Sequence, residues 1–205
     1  MNEKKLIPIA RTLSLLFTPF YLPIVSMLAM FIFSYLSMLP WQFKLHVIIA
    51  TYLFTILLPT LLIHAYRRYN GWAWFHLRHR EQRMVPYILS ILSYLTFYFL
   101  MRWMHMPHFM SAVIVAALFV QIVCALTNMW FKVSAHMAAI GGVTGGLIGF
   151  SLIFGFNPVW WLSFIILLSG LVGTARMMLR VHTLSEIIIG YLLGGITTFL
   201  VVVLI

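Results

Sequence analysis

"VHTLSEIIIGYLLGGITTFLVVVLI" occupies residues 181–205, and no charged residue follows Glu186 within it. A helix that crosses a bilayer needs about 20 apolar residues, and this run supplies them. Thr183 and Glu186 stand at the spacing of a capping box directly before the run. The helix is therefore expected to begin at Thr183, with His182 immediately in front of it. Gly190 and Gly194 give it a small-residue face, and the same four-residue spacing recurs at Gly141, Gly145 and Gly149. Two helices with such faces pack closely, so the helix after residue 135 is expected to lie against this one.

The rest of the chain reads the same way. It is 63% hydrophobic and only 8% charged, with a mean hydropathy of +1.05. A soluble domain carries about a quarter of its residues charged, so this chain lacks the polar groups to cover a water-facing surface. Its apolar runs are continuous rather than alternating, which argues against a membrane barrel. The expected fold is all-α, a polytopic transmembrane helical bundle of six or seven spans, forming a single integral membrane domain over residues 1–205. Spans are expected at 13–37, 45–66, 87–104, 109–129, 135–155, 158–175 and 184–205. All seven tryptophans (41, 72, 74, 103, 130, 160 and 161) fall near the breaks, the interfacial position of this side chain. Pro19 and Pro23 interrupt the first span, which crosses or dips and returns. Its apolar stretch is too long for a cleaved signal peptide and reads as a retained segment. The single cysteine, Cys124, excludes an intrachain disulfide.

Parity divides the loops. If each later span crosses once, segments 67–86, 130–135 and 176–183 share one side. That side collects Arg67, Arg68, Arg78, Arg80, Arg83, Lys132, Arg176 and Arg180, with His136, His182 and Glu186. The net charge of +10 thus sits at the ends of apolar runs. There it suits anionic membrane lipids or a phosphate ligand rather than nucleic acid. The positive-inside bias accounts for Arg67 and Arg68, but not for His136, His182 or Glu186. A carboxylate one turn beyond His182 can hold the imidazole in one tautomer and stabilise its cation. Glu186 also reads simply as a helix cap. Ser134 reads as an N-cap, with His136 in the first turn of the next helix. Two helix N-termini then share one membrane layer, and such ends attract anions. Arg176 and the arginines of "LRHREQRMVPY" (residues 77–87) add guanidinium groups suited to phosphate oxygens.

These residues resemble the type 2 phosphatidic acid phosphatase superfamily. Its third motif, S-R-x5-H-x3-D, is similar to Ala175-Arg176, five residues, His182, three residues, Glu186. Its second, P-S-G-H, is similar to Val133-Ser134-Ala135-His136. Its first, K-x6-R-P, is only echoed: Arg83 is followed by Met84 and Val85 before Pro86, no lysine stands seven before it, and Arg78 or Arg80 would replace that lysine. The resemblance covers about residues 75–205. It implies a hydrolase acting on a lipid phosphate or pyrophosphate, in the class of phosphatidic acid, phosphatidylglycerol phosphate or undecaprenyl pyrophosphate. It further implies no metal and no cofactor, a phosphohistidine on His182, orientation by Glu186, and acid–base work by His136. Arg176, Ser134 and one of Arg78, Arg80 and Arg83 would hold phosphate. A bacterial inner (cytoplasmic) membrane is the implied location. Glu186 for aspartate, Ala175 for serine and Ala135 for glycine are departures that fit a catalytically impaired relative, one that binds lipid phosphates or a partner. A third reading takes "MRWMHMPHFM" (residues 101–110) as soft Met and His ligands of a metal or solute transporter. The sequence carries no signal for oligomeric state.

Overall fold

The computed structural model describes residues 3–33, 35–69 and 80–204. Nine α-helices are present among them: α1 (Glu3–Leu16), α2 (Leu22–Phe33), α3 (Trp41–Tyr52), α4 (Leu58–Tyr69), α5 (Arg80–Trp103), α6 (His108–Trp130), α7 (Ala135–Phe154), α8 (Val159–Met178) and α9 (Leu184–Leu204). The described residues contain no strand. Among the described residues, seven stretches are long and apolar enough to cross a membrane: Ile7–Ile32, Trp41–Tyr69, Met84–Trp103, His108–Trp130, Ala135–Phe154, Val159–Met178 and Leu184–Leu204. The protein is an all-α integral membrane bundle.

Three of the expected spans change their bounds, the one at 45–66 widening to Trp41–Tyr69. The span expected at 13–37 is two helices, α1 and α2, joined through a tight turn at Pro19–Tyr21. Proline cannot donate the next helical hydrogen bond, so α1 stops before it. The span expected at 87–104 begins earlier, because α5 starts at Arg80 and carries Pro86 within it. Trp41–Tyr69 is one membrane stretch with a wider π-type turn at Leu53–Leu57, just ahead of Pro59. Pro59 has no N–H to donate to the preceding turn. The Phe54 and Thr55 carbonyls there accept instead from the Ser93 hydroxyl at 2.5 Å and the Tyr94 hydroxyl at 3.5 Å. In lipid such freed groups need a protein partner, and these two bonds tie the stretch to α5.

The bundle is built around α6 and α7. Each is 56% buried along its most apolar window, whereas α8 is 17% buried and faces outward. α7 and α9 form the closest pair. A Cβ on Gly141 would overlap the Tyr191 backbone, one on Gly145 the Gly195 backbone, and one on Gly194 the Ala138 backbone. This is the close approach expected from the glycine spacing.

The turn after α8 brings the chain back to that pair. Val181 N–H donates to the Arg176 carbonyl at 3.2 Å and Arg180 N–H to the Met177 carbonyl at 2.8 Å. This is the Schellman pattern, and it puts Arg180 at φ 51°, where glycine is the unstrained choice. The Lys132 ammonium then donates to the Val181 carbonyl. The 131–134 link and the 179–183 turn are thereby pinned together at one end of the bundle.

Candidate active site

His182 lies just before α9, held by the turn described above. Its Nδ1 is 2.7 Å from Glu186 Oε2, and its side chain is only 7% exposed. A carboxylate oxygen accepts, so Nδ1 carries the proton and Nε2 keeps its lone pair. Lys132 Nζ stands 3.6 Å from the same oxygen. The expected capping box is therefore half made. The Thr183 hydroxyl accepts from Glu186 N–H at 3.4 Å, but the Glu186 carboxylate turns to His182 and Lys132 instead of reaching back to the cap. Burial pushes the His182 imidazole down to about 4, and the hydrogen bond it donates to Glu186 opposes that shift. The Arg176 and Lys132 cations add to the lowering, and the Glu186 charge resists it. At neutral pH the ring is an uncharged base with Nε2 available.

Ser134 sits at the N-cap position of α7, but its hydroxyl makes no cap hydrogen bond. The expectation that it caps the helix is corrected in this respect. Its N–H donates to the Glu186 carbonyl at 3.3 Å. Gly190 lets the link come this close, since a Cβ there would stand 2.8 Å from the Ser134 carbonyl oxygen. The residue is fully buried, and its Oγ has no protein partner. Arg176, in the last turn of α8, donates from Nη1 to Ser14 Oγ at 2.7 Å, while its buried Nε has no partner. His136, in the first turn of α7, donates from Nε2 to the Ser14 carbonyl at 3.1 Å. Two unsatisfied polar atoms in so apolar a chain mark a place where a polar ligand would be stabilised.

His136, Arg176 and His182 line one cavity of about 990 Å³. From these polar groups it runs along α7 past Ile140, Val143 and Leu147 to Phe154. The distance from residue 136 to 154 along a helix is about 27 Å. The cavity is polar at one end and mostly hydrocarbon-lined over the rest, with Gln121 and Thr198 also on its wall.

Of the residues singled out from sequence, His182, Glu186, His136, Arg176 and Ser134 are brought together. Arg80 and Arg83 lie in the first two turns of α5, and Arg78 falls outside the described residues. The Met/His segment lies at the opposite end of α6. Its side chains diverge: Met101 and Met110 are buried in the apolar core, Met104 is half exposed, and His108 contacts Arg102 at 3.1 Å.

Three participants were missed. Lys132 was assigned only to the polar side. Asn128, which is 2% exposed with an unpartnered amide nitrogen, lines the same cavity. An asparagine inside an apolar run was the signal available for it. Ser14 belongs to a segment read only as a span, and nothing local distinguishes it.

No family model matches the chain, and neither does any curated protein or solved structure.

Proposed function

We propose that the protein is a metal-independent phosphatase of lipid phosphates or pyrophosphates, working through a phosphohistidine. The observation that carries this is the His182–Glu186 pair. It is a buried, uncharged imidazole with Nδ1–H held by a carboxylate at 2.7 Å, beside a guanidinium, at the polar end of an apolar cavity. Nucleophile, orienting group and anion holder are the parts that covalent phosphoryl transfer needs.

The steps follow from these groups. His182 Nε2 bonds to phosphorus as the bond to the leaving oxygen breaks. His136 Nδ1 relays to the leaving oxygen the proton that the monoprotonated phosphate of the substrate carries in. Glu186 stabilises the positive charge that develops on His182, and Arg176 and Ser134 hold the non-bridging oxygens. His136 then accepts a proton from water as that water attacks the phosphohistidine and passes it to the departing phosphate, which restores both rings. Mutual geometry supports these roles, as does the resemblance of 175–186 and 133–136 to phosphatase motifs.

The hydrocarbon-lined length of the cavity favours a lipid over a soluble ester, since an apolar chain there loses its contact with water. Phosphatidic acid, phosphatidylglycerol phosphate and undecaprenyl pyrophosphate all present this combination. For a bacterial source, a helical bundle suits the cytoplasmic membrane, because outer-membrane spanning proteins are barrels.

The test is phosphate release from these three lipids by detergent-purified protein, with and without chelator. The expected result is chelator-resistant release that orthovanadate inhibits and His182→Ala abolishes, at least 1,000-fold by analogy with other lost nucleophiles. Undiminished release in His182→Ala would reject the mechanism. Absence of release from every lipid would favour the lipid-phosphate-binding reading.

A further inference from the structure

Ser14 joins the two catalytic-end helices through both of its polar atoms. It lies 122 residues from His136 and 162 from Arg176 in sequence, is only 6% exposed, and reaches both. Its carbonyl is available because α1 ends at Leu16, and last-turn carbonyls have no partner within a helix. The Leu13 carbonyl takes the Phe17 N–H at 3.1 Å, and extended Thr18 leads into Pro19, which has no N–H. Phe17 packs with Met137 and Val172, which wedges the end of α1 between α7 and α8.

We propose that Ser14 is a positioning residue of this site, its carbonyl setting the tautomer of His136 and its hydroxyl setting the aim of Arg176. This rests on the phosphatase reading. A carbonyl has no proton to give, so His136 Nε2 must donate and Nδ1 keeps the lone pair. His182 is held in the opposite tautomer by Glu186. One ring therefore offers Nε2 to phosphorus, and the other offers Nδ1 to relay the substrate's own phosphate proton to the leaving oxygen and then to take one from water. The Arg176 guanidinium is fixed at Nη1, which leaves its unpartnered Nε–H for the anion. Ala175, beside it in sequence, has no hydroxyl to offer. The N-terminal helix, outside the region that resembles known phosphatases, thereby completes the site.

Two measurements test this. The first compares wild type, Ser14→Ala and Ser14→Thr for phosphatidic acid hydrolysis and for the orthovanadate-dependent rise in melting temperature. A hydrogen bond to a charged group is worth about tenfold or more. Ser14→Ala is therefore expected to raise the half-saturating vanadate concentration and lower kcat/KM by about tenfold, while the fold survives with at most a modest fall in ligand-free melting temperature. Ser14→Thr restores both. The second is the nitrogen spectrum of ¹⁵N-histidine-labelled wild type, with His136 assigned by its loss in His136→Asn. It is expected to show Nε2 protonated and Nδ1 bare. Equal vanadate response in wild type and Ser14→Ala, tighter vanadate binding by Ser14→Ala, or a His136 ring protonated at Nδ1 alone would each overturn the proposal. If wild type neither binds vanadate nor hydrolyses lipid, the phosphatase reading falls, and the catalytic role of Ser14 falls with it. If wild type does both and Ser14→Ala matches it, only the role of Ser14 falls.

Discussion

Replacing Glu186 with glutamine changes one charge and almost no volume, so it isolates what the carboxylate does for His182. In the native protein Nδ1–H meets Oε2 at 2.7 Å, a charge-assisted bond. Such bonds are roughly twice as strong as neutral ones. The net loss on neutralising the acceptor is about 1–2 kcal/mol, felt most when His182 becomes positively charged on bonding to phosphorus. That converts to about 5- to 30-fold in kcat. The side-chain amide can also rotate its NH₂ toward the ring, which favours the wrong tautomer and deepens the loss. The pH profile gives a second, independent reading. Burial holds His182 down to about 4, against the opposing pull of Glu186. Removing that pull leaves burial, Arg176 and Lys132 to act alone. The acid limb of kcat/KM should therefore move to lower pH even as the plateau falls. The assay is the initial rate of phosphate release from phosphatidic acid in detergent micelles, followed from neutral to acid pH. A variant with the wild-type plateau, or one whose acid limb moves upward, would refute the assignment of Glu186 as the orienting group.

Lys132→Met removes a cation that lowers the His182 pKa, so the same limb should shift to higher pH; an unmoved limb would exclude that coupling. Stability should carry the mark of His182 as well. Its folded value of about 4 lies below the unfolded 6.5, so between these values the unfolded chain binds the extra proton. The contribution is complete above 6.5, is lost as pH falls toward 4, and amounts to at most about 3 kcal/mol. Melting temperatures against pH should fall through that window in wild type and stay flatter in His182→Asn. Gly194→Ala drives a Cβ into the Ala138 backbone, an overpacking cost of about 1–3 kcal/mol or more. Its melting temperature should drop, while Gly170→Ala, with nothing near the added methyl, should match or exceed wild type.

The bundle was legible because membrane helices advertise themselves by length and hydropathy, and the α7–α9 contact because glycine spacing is a local pattern that states a distance. His182 and Glu186 were legible for the same reason, being one helical turn apart. Pro19 marked an interruption but not its outcome, since a proline in a membrane segment gives a kink or a break depending on what packs around it. The Ser134 hydroxyl was misread as a cap because residue type at an N-terminus fixes the position and not the rotamer. Ser14 could not be found at all. Its partners lie over a hundred residues away, and one of its two bonds is made by a backbone carbonyl, which every residue possesses.

Of the chain's three acidic residues, Glu186 stands beside a membrane stretch with its side chain four-fifths buried. Placing a carboxylate there carries a desolvation penalty, so its gain must be sought locally. Capping does not supply it, because the carboxylate leaves the cap and the Thr183 hydroxyl meets the helix N–H at only 3.4 Å. Pairing with Lys132 does not supply it either. At 3.6 Å, with the lysine 36% exposed, that contact belongs with surface ion pairs worth at most about 1 kcal/mol. The short bond to His182 remains. An uncharged imidazole gains only orientation from such a bond, but an imidazole that becomes cationic gains far more. A carboxylate kept at this position is best explained by a His182 that passes through a positive charge while it works, which is what bonding to phosphorus would require of it.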